Sequence, residues 1–160
     1  MRIAVLNGPN LNLLGTREPE IYGRATLADI EARLHVVAAE LGVTVLFAQF
    51  NHEGDCIEAV HALGGRDAAA SVPPPLRTTA DGALVNAGAW THTSLALRDA
   101  LAGVGLPFAE VHLSNIYARE PERRHSVLAS VAKASVCGFG AHGYEFALRG
   151  LVAQLRAAAL

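Results

Sequence analysis

An arginine and a tyrosine lie five positions apart in a long polar loop near the beginning of the chain. The loop follows an apolar run at residues 3–6, which predicts a first β-strand. In an open α/β sheet, ligands bind outside the carboxyl ends of the strands, and long loops in compact domains are often functional. The loop offers Asn10, Arg17 and Tyr22 for hydrogen bonding and proton transfer. A turn-rich connection without a chemical role is the alternative interpretation.

Glu110 and His112 form a second pair that could do chemistry. They lie two positions apart on a predicted strand, so their side chains share a face of the sheet. A carboxylate beside an imidazole fixes its tautomer and favours its protonated form, which makes it a better proton donor near neutral pH. A structural pair at the end of the sheet is the alternative.

A cluster of polar residues, with some glycines and aromatic residues among them, follows every predicted strand. We expect the clusters to gather at the sheet edge where the carboxyl ends of parallel strands meet. Their members are Asn10, Arg17 and Tyr22 after the first strand; Asn51, His52 and Glu53 after the second; Asn86, Gly88, Trp90 and His92 after the third; His112, Ser114, Asn115, Arg119 and Arg123 after the fourth; and Phe139, Gly140, His142 and Gly143 after the fifth. The clustered arginines favour a small anionic ligand over a polymer, with solvated surface arginines as the alternative.

Two other motifs do not predict a cofactor or metal. Residues 138–143 formally match G-x-G-x-x-G, but no further strand with a ribose-binding acid follows, so close packing of strand and helix explains the glycines. The histidines at 52, 92, 112 and 142 have neither zincin spacing nor a supporting pattern of cysteines or carboxylates. We expect no metal.

Predicted strands and helices alternate along the chain. The strands cover residues 3–6, 43–47, 83–85, 108–113 and 135–137. The helices run from Thr26 to a stop at Gly42, from Glu53 or Gly54 to Gly64, over 91–102 with a stop at Gly103, over a short stretch at 123–129, and over 144–158. The third helix would place His92 and Asp99 on one face. This alternation predicts an α/β fold with a five-stranded parallel sheet and helices on both faces, and the flavodoxin-like order 2-1-3-4-5 is the leading topology.

Composition fits one domain spanning residues 1–160. The 160 residues are 51% apolar with a net charge of −2, which gives no support for nucleic acid or an acidic membrane as a partner. The two cysteines suit a reduced, cytoplasmic protein, and no apolar run is long enough to span a bilayer. Residues 66–79 contain three consecutive prolines and break the rhythm of the elements. We expect an exposed and mobile excursion there, either a tolerated insertion or a functional lid.

Several segments in sequence order carry a resemblance to a known family. They are residues 7–11 continuing to Tyr22 and Gly23, then 51–54, 86–94, 110–115 and 138–140. Together they resemble the type II 3-dehydroquinate dehydratases over nearly the whole chain. The resemblance implies a flavodoxin-like fold, no cofactor or metal, and a homododecamer built from trimers. It also implies removal of water from 3-dehydroquinate to give 3-dehydroshikimate, through an enolate and with anti stereochemistry.

The resemblance further implies roles in catalysis. Tyr22 would be the base that removes the proton beside the ketone. An unperturbed tyrosine has a pKa of about 10, and the Arg17 guanidinium would favour the phenolate. Asn10 would hold a water or contact the enolate oxygen. His112 would be the general acid for the departing hydroxyl, oriented by Glu110.

The implied binding groups surround these residues. Backbone N–H groups of Leu113 and Ser114 would hold the substrate carboxylate. Asn86, His92 and Arg123 would bind the ring hydroxyls and the carboxylate region. Asp99 would reach a neighbouring subunit's site, and Arg119 would support a lid formed by the loop with Arg17 and Tyr22.

Several residues depart from the family pattern without removing a proposed catalytic group. They are the insertion at 66–79, Phe50, Ala87, Trp90, Tyr117, Pro121 and Glu122. A flavodoxin-like binding or signalling module is one alternative, but residues 6–8 lack the acids of a phosphoacceptor and residues 9–12 make a poor phosphate loop. A catalytically silent relative is another. Biosynthetic and catabolic roles both use the same step and stay open.

Overall fold

The computed structural model of the chain describes residues 1–16 and 24–159. Among these residues, five parallel strands form one sheet in the order β2-β1-β3-β4-β5. The strands are β1 (Arg2–Asn7), β2 (Thr44–Gln49), β3 (Gly82–Asn86), β4 (Phe108–His112) and β5 (Ala134–Cys137). The α-helices are α1 (Leu27–Leu41), α2 (Glu53–Leu63), α3 (Leu95–Val104) and α4 (His142–Ala158). The predicted flavodoxin-like order is confirmed.

The sheet is buried on both faces because helices cover each of them. In β1, Ile3 and Val5 join the core beneath α1 and α4, whereas Ala4 and Leu6 join the core beneath α2 and α3. This alternation follows from the two-residue period of a strand. A parallel sheet covered in this way exposes chiefly its edges and strand ends, which leaves the carboxyl edge for a site.

Helix α1 begins and ends where the sequence predicts. The Thr26 hydroxyl accepts a hydrogen bond from the Asp29 N–H, and the Asp29 carboxylate accepts one from the Thr26 N–H. This reciprocal capping box satisfies two of the free N–H groups at the helix start. Gly42 ends the helix in the left-handed region, with φ of 64°.

The third predicted helix begins and ends later than expected. Residues Gly88–His92 form a 3-10 turn, and α3 begins only after Ser94, whose hydroxyl accepts from the Leu97 N–H at 2.9 Å. The helix passes through Gly103 and ends at Gly105, whose φ is 66°. The expected stop at Gly103 is therefore wrong, because the left-handed conformation that ends the helix belongs to the second glycine.

The short helix expected over residues 123–129 is absent from the described chain. A 3-10 turn at Pro121–Arg123 takes its place, followed by irregular backbone. The backbone N–H groups here find partners outside a helix: Val127 donates to the Thr91 carbonyl, and Leu128 donates to the Ser126 hydroxyl. The bond to Thr91 is tertiary and the bond to Ser126 is local, and neither is the backbone bond that an α-helix requires.

The proline-containing excursion at 66–79 is exposed along most of its length but is anchored at two points. Val72 and Leu76 are buried in the core beneath α2 and α3. Arg2 also donates hydrogen bonds to Thr78 and Thr79. The expectation of an exposed excursion is corrected at these two core side chains.

None of the helices in residues 1–16 and 24–159 combines the length and apolarity needed to cross a bilayer.

Candidate active site

A pocket opens at the carboxyl edge of the sheet, beyond the ends of the adjacent strands β1, β3 and β4. Its lining comprises Pro9, Asn10, Leu11 and Leu14 after β1; Asn86, Gly88, Ala89 and His92 at and after the end of β3; and His112, Leu113, Ser114, Ile116, Arg119 and Arg123 at and after the end of β4. Among the described residues, the loops after β2 and β5 add no side chain to this lining. The strand order explains this, since β2 and β5 are the outer strands.

Eight of the residues that were given a role from the sequence meet in this pocket. They are Asn10, Asn86, His92, His112, Leu113, Ser114, Arg119 and Arg123. Glu110 is fully buried and contacts His112. Arg17 and Tyr22 lie outside the described residues. The described part of the site therefore consists of two imidazoles, amides and two guanidinium groups around a small cleft.

Glu110 and His112 are hydrogen-bonded, as their shared face on β4 predicts. Nε2 of His112 lies 3.0 Å from Oε1 of Glu110. An ionised carboxylate only accepts hydrogen bonds, so Nε2 carries the proton and donates it. Nδ1 makes no hydrogen bond to any described residue, and the ring lines the pocket. In the protonated ring, Nδ1–H is thus available to a ligand.

Two serines complete the surroundings of the Glu110 carboxylate. Ser126 Oγ lies 2.6 Å from Oε1, and Ser135 Oγ lies 3.0 Å from Oε2. Burial acts to raise the pKa of Glu110, but the hydrogen bonds from His112, Ser126 and Ser135 and the charge of His112 outweigh it and hold the pKa below its ordinary value. Glu110 is therefore an anion beneath the imidazole at neutral pH.

Asn10 adopts the left-handed conformation, with φ of 65°. Asparagine tolerates this region better than most residues with a Cβ. The Asn10 N–H donates to Oδ1 of Asn51 at 3.0 Å, and Gln49 donates to the same oxygen. Residues at the end of β2 and just after it thus hold the backbone of Asn10 without lining the pocket themselves.

Asn86 is held by a buried hydrogen-bond chain. Its Nδ2 donates to the Tyr144 hydroxyl at 2.8 Å, and that hydroxyl donates to Oδ1 of Asn7 at 2.6 Å. The Gly88 N–H donates to Oδ1 of Asn86 at 3.3 Å. Since an amide NH₂ has two hydrogens, one N–H of Asn86 is left over for the pocket.

The loops after β1 and β3 approach each other at Gly8. The Gly8 N–H donates to the Asn86 carbonyl at 2.7 Å, and a Cβ on Gly8 would lie 2.2 Å from the Ala87 carbonyl oxygen. Only glycine fits this contact. The close approach brings Asn10 and Asn86 to the same pocket.

His92 is oriented by the loop after β4. Its Nδ1 lies 2.7 Å from the His125 carbonyl oxygen, so Nδ1 carries the proton and Nε2 is available to the pocket. Val127, on the same loop, donates to the carbonyl of the adjacent Thr91. These bonds join the His92 turn to the loop that carries Arg123.

Glycines after β5 hold the backbone that follows β4. Gly138 and Gly140 have φ of 87° and 55°, and their N–H groups donate to the His112 and Leu113 carbonyls. The Leu113 and Ser114 N–H groups have no hydrogen-bond acceptor among the described residues. Two N–H groups at the pocket wall can donate hydrogen bonds to an anionic group.

Arg119 and Arg123 share one carboxylate. Nε of Arg123 lies 2.7 Å from Oε1 of Glu120, and Nε of Arg119 lies 3.1 Å from Oε2. The Glu120 backbone N–H and the Arg119 side chain hold the pKa of Glu120 below its ordinary value. Glu120 therefore stays ionised and offsets part of the positive charge at the pocket rim.

Asp99 lies away from this pocket. Its carboxylate pairs with Arg98 at 2.8 Å, and it borders a shallow surface depression with His61 and Arg66. The expected shared face with His92 is wrong, because His92 belongs to the 3-10 turn and not to α3.

Several residues that shape the site were not assigned a role from the sequence. Ser126, Ser135, Tyr144, Asn7 and Asn51 hold the lining residues from behind. The sequence gives one usable signal for these residues: Asn51 lies in the polar cluster after the second predicted strand. Ser126 and Ser135 have no telling spacing to Glu110, since their contacts span 16 and 25 positions.

The fold and the pocket define a flavodoxin-like α/β protein with a polar site at the carboxyl edge of its central strands. A family model described as dehydroquinase class II matches residues 1–152. A Gemmatimonas aurantiaca protein named 3-dehydroquinate dehydratase is 59% identical over 155 residues, which cover 97% of this chain and 93% of that protein.

Solved structures agree with the family match. The type II dehydroquinase from Butyrivibrio crossotus has a TM-score of 0.83 and 36% identity, covering 94% of this chain and 97% of that one. The type II dehydroquinase from Propionibacterium acnes has a TM-score of 0.82 and 39% identity, covering 95% and 96%. The chain belongs to the class II dehydroquinase family.

Proposed function

We propose that this chain removes water from 3-dehydroquinate to form 3-dehydroshikimate, by anti elimination through an enolate. The family and its relatives support the coarser statement that it is a type II 3-dehydroquinate dehydratase, a hydro-lyase. The observation that carries the finer proposal is the buried Glu110 anion beneath His112, whose ring lines the pocket. This pair can supply a proton to a departing hydroxyl.

In the proposed reaction, Tyr22 removes the proton beside the ketone, and the Arg17 guanidinium favours its phenolate form. Both residues belong to the proposal through the family resemblance and lie outside the described residues. Asn10 holds a water or contacts the enolate oxygen, which spreads the developing negative charge. The protonated His112 ring then donates the proton on Nδ1 to the departing hydroxyl, because its Nε2–H is held by Glu110.

Substrate binding in this proposal uses the rest of the lining. The Leu113 and Ser114 N–H groups and the Arg123 guanidinium hold the carboxylate region, and Asn86 and His92 contact ring hydroxyls. Asn86 has one amide N–H left, and His92 presents Nε2. Arg119 supports the closing loop. No cofactor or metal takes part in the proposed chemistry.

The subunit arrangement belongs to the same proposal. We propose a cytoplasmic homododecamer built from trimers, in which Asp99 reaches the site of a neighbouring subunit. The Asp99 side chain is 66% exposed, so it is accessible to a second copy. Size-exclusion chromatography with light scattering tests the proposed assembly, and Asp99→Ala tests its contribution to turnover.

The test is turnover of 3-dehydroquinate, followed by absorbance of the enone product. We expect the wild-type chain to be active and Tyr22→Phe and His112→Ala to lose at least about a hundredfold in kcat, as expected for loss of a general base or acid. Ser130→Ala is the control, because Ser130 is exposed and lies outside the pocket. Full activity in either variant removes that residue from the mechanism, and an inactive wild-type enzyme contradicts the proposed function.

A further inference from the structure

Ser126 joins the Glu110–His112 pair to the loop that lines the pocket after β4. Its hydroxyl lies 2.6 Å from Oε1 of Glu110. The same carboxylate oxygen accepts the hydrogen bond from Nε2 of His112 at 3.0 Å. Ser126 and the imidazole therefore meet at one oxygen atom, although they come from different parts of the chain.

The direction of the Ser126 hydrogen bond is set by its other contacts. The hydroxyl oxygen accepts from the Leu128 N–H and the Ala129 N–H, each at 3.1 Å. A hydroxyl has one hydrogen and two lone pairs. Both lone pairs face N–H donors, so the single hydrogen points to Glu110. Ser126 can act only as a donor to this carboxylate.

The direction of this hydrogen bond bears on which nitrogen of the His112 imidazole carries the proton. Oε1 of Glu110 must accept from Ser126, so it is the unprotonated oxygen and also accepts from Nε2–H of His112. The neutral imidazole is then fixed with its proton on Nε2 and its lone pair on Nδ1. Glu110 thus fixes the tautomer, and Ser126, on the neighbouring loop, holds in place the carboxylate oxygen that does so.

Ser135 provides a natural comparison within the same cluster. It bonds the other carboxylate oxygen, Oε2, at 3.0 Å. The hydrogen bond from His112 goes to Oε1 and not to this oxygen. Ser135 also lies on β5, away from the loop that carries Arg123. Its loss removes one hydrogen bond to Glu110 and leaves the shared oxygen and the loop connection intact.

We propose that Ser126 is a positioning residue, and this proposal rests on the proposed dehydratase function. Its one-directional hydrogen bond holds Glu110 as an acceptor and thereby fixes the His112 tautomer. The same bond ties that tautomer to the loop carrying Arg119 and Arg123. The position of this loop and the orientation of the His112 imidazole thereby depend on each other. A displaced loop would also release the imidazole.

The kinetic test compares four variants. Ser126→Ala is expected to lose about tenfold or more in kcat, because misorientation of a reacting group costs rate. KM should change less than about threefold, because the loop keeps its hydrogen bonds to Thr91 and His92. Ser126→Thr keeps the hydroxyl and is expected to recover most of the loss. Ser135→Ala is expected to lose less than about threefold, and Ser130→Ala in the same loop is expected to match the wild type.

The second readout does not depend on turnover. In protein labelled with ¹⁵N-histidine, the His112 ring nitrogens are assigned by their absence in His112→Gln. We expect the wild type and Ser126→Thr to show the Nε2–H tautomer at high pH. Ser126→Ala should show a mixture, because a Glu110 carboxylate that Ser126 no longer holds can turn away from Nε2. Circular dichroism and urea midpoints establish that each variant is folded.

The outcomes separate the two proposals. The positioning role would be overturned by a wild-type kcat or an unchanged His112 tautomer in Ser126→Ala. It would also be overturned by equal losses of kcat in Ser126→Ala and Ser135→Ala, or by a folded Ser126→Thr that is as slow as Ser126→Ala. A wild-type protein inactive on 3-dehydroquinate but with a Ser126-dependent tautomer would refute the dehydratase proposal and leave the positioning role standing.

Discussion

At the scale of single residues, the site depends on groups held from behind by atoms that never reach the pocket. Glu110 fixes His112, Tyr144 fixes Asn86, and Asn51 fixes the backbone of Asn10. A side chain with a locked hydrogen bond on one side presents a defined donor or acceptor on the other. The described side chains of the pocket are therefore oriented by the protein's own hydrogen bonds.

Asn10 allows its conformation and its side chain to be tested separately. Its φ of 65° suits glycine and strains alanine. We expect Asn10→Ala to be less stable than Asn10→Gly by about 1 kcal/mol in urea unfolding, because only the alanine has a Cβ in the left-handed region. Both variants should lose turnover equally, since both lack the carboxamide. Turnover regained in Asn10→Gly would show that the residue acts through its backbone alone.

At the scale of elements, two glycines at the end of α3 give opposite predictions. Gly103 lies within the helix, whereas Gly105 ends it with φ of 66°. A Cβ at either position would meet open space, so steric clash does not obscure the comparison.

We expect Gly103→Ala to stabilise the fold by about 0.5–1 kcal/mol, because alanine loses less backbone entropy in a helix. Gly105→Ala should destabilise it by about 1 kcal/mol, because alanine disfavours positive φ. Thermal or urea unfolding of the two variants measures both changes. The reverse signs would mean that the helix ends at Gly103, as the sequence had suggested.

The elements also show where sequence reasoning succeeds. The capping box at Thr26 and the stop at Gly42 are local signals, and the structure agrees with both. The false helix over 123–129 and the unassigned role of Ser126 have a common cause. That segment is shaped by hydrogen bonds to Thr91 and Glu110, which are distant in sequence. Patterns within a few residues carry no information about such partners.

At the scale of the whole molecule, the sheet order decides which predicted polar clusters meet. Described residues from the clusters after β1, β3 and β4 line the pocket because these strands are neighbours. The clusters after β2 and β5 instead support it, through Asn51 and through Gly138 and Gly140. Placing polar residues at strand ends was possible from the sequence. Separating lining from support required the topology and the hydrogen bonds.

The buried core also predicts how stability depends on alkaline pH. Cys56 is buried between α2 and the sheet, and burial, together with the Glu53 carboxylate, raises the pKa of its thiol to about 12. In the unfolded chain a cysteine ionises at a pKa of about 8.5. Between these values the unfolded state has lost a proton that the folded state retains. The contribution of the Cys56 thiol to stability is therefore complete below the pKa of the unfolded state. It is lost as pH rises toward the pKa of the folded state.

We expect the free energy of unfolding to fall above about pH 9, with Cys56 contributing a slope of up to about 1.4 kcal/mol per pH unit. Cys56→Ala should lower stability at pH 7, because a buried side chain is truncated, yet flatten the decline between pH 9 and 10.5. Cys137→Ala is the matched control, since that thiol is only partly buried. Urea unfolding across this pH range measures the slopes, and an equal slope in Cys56→Ala and the wild type would show that the buried thiol does not drive the alkaline loss.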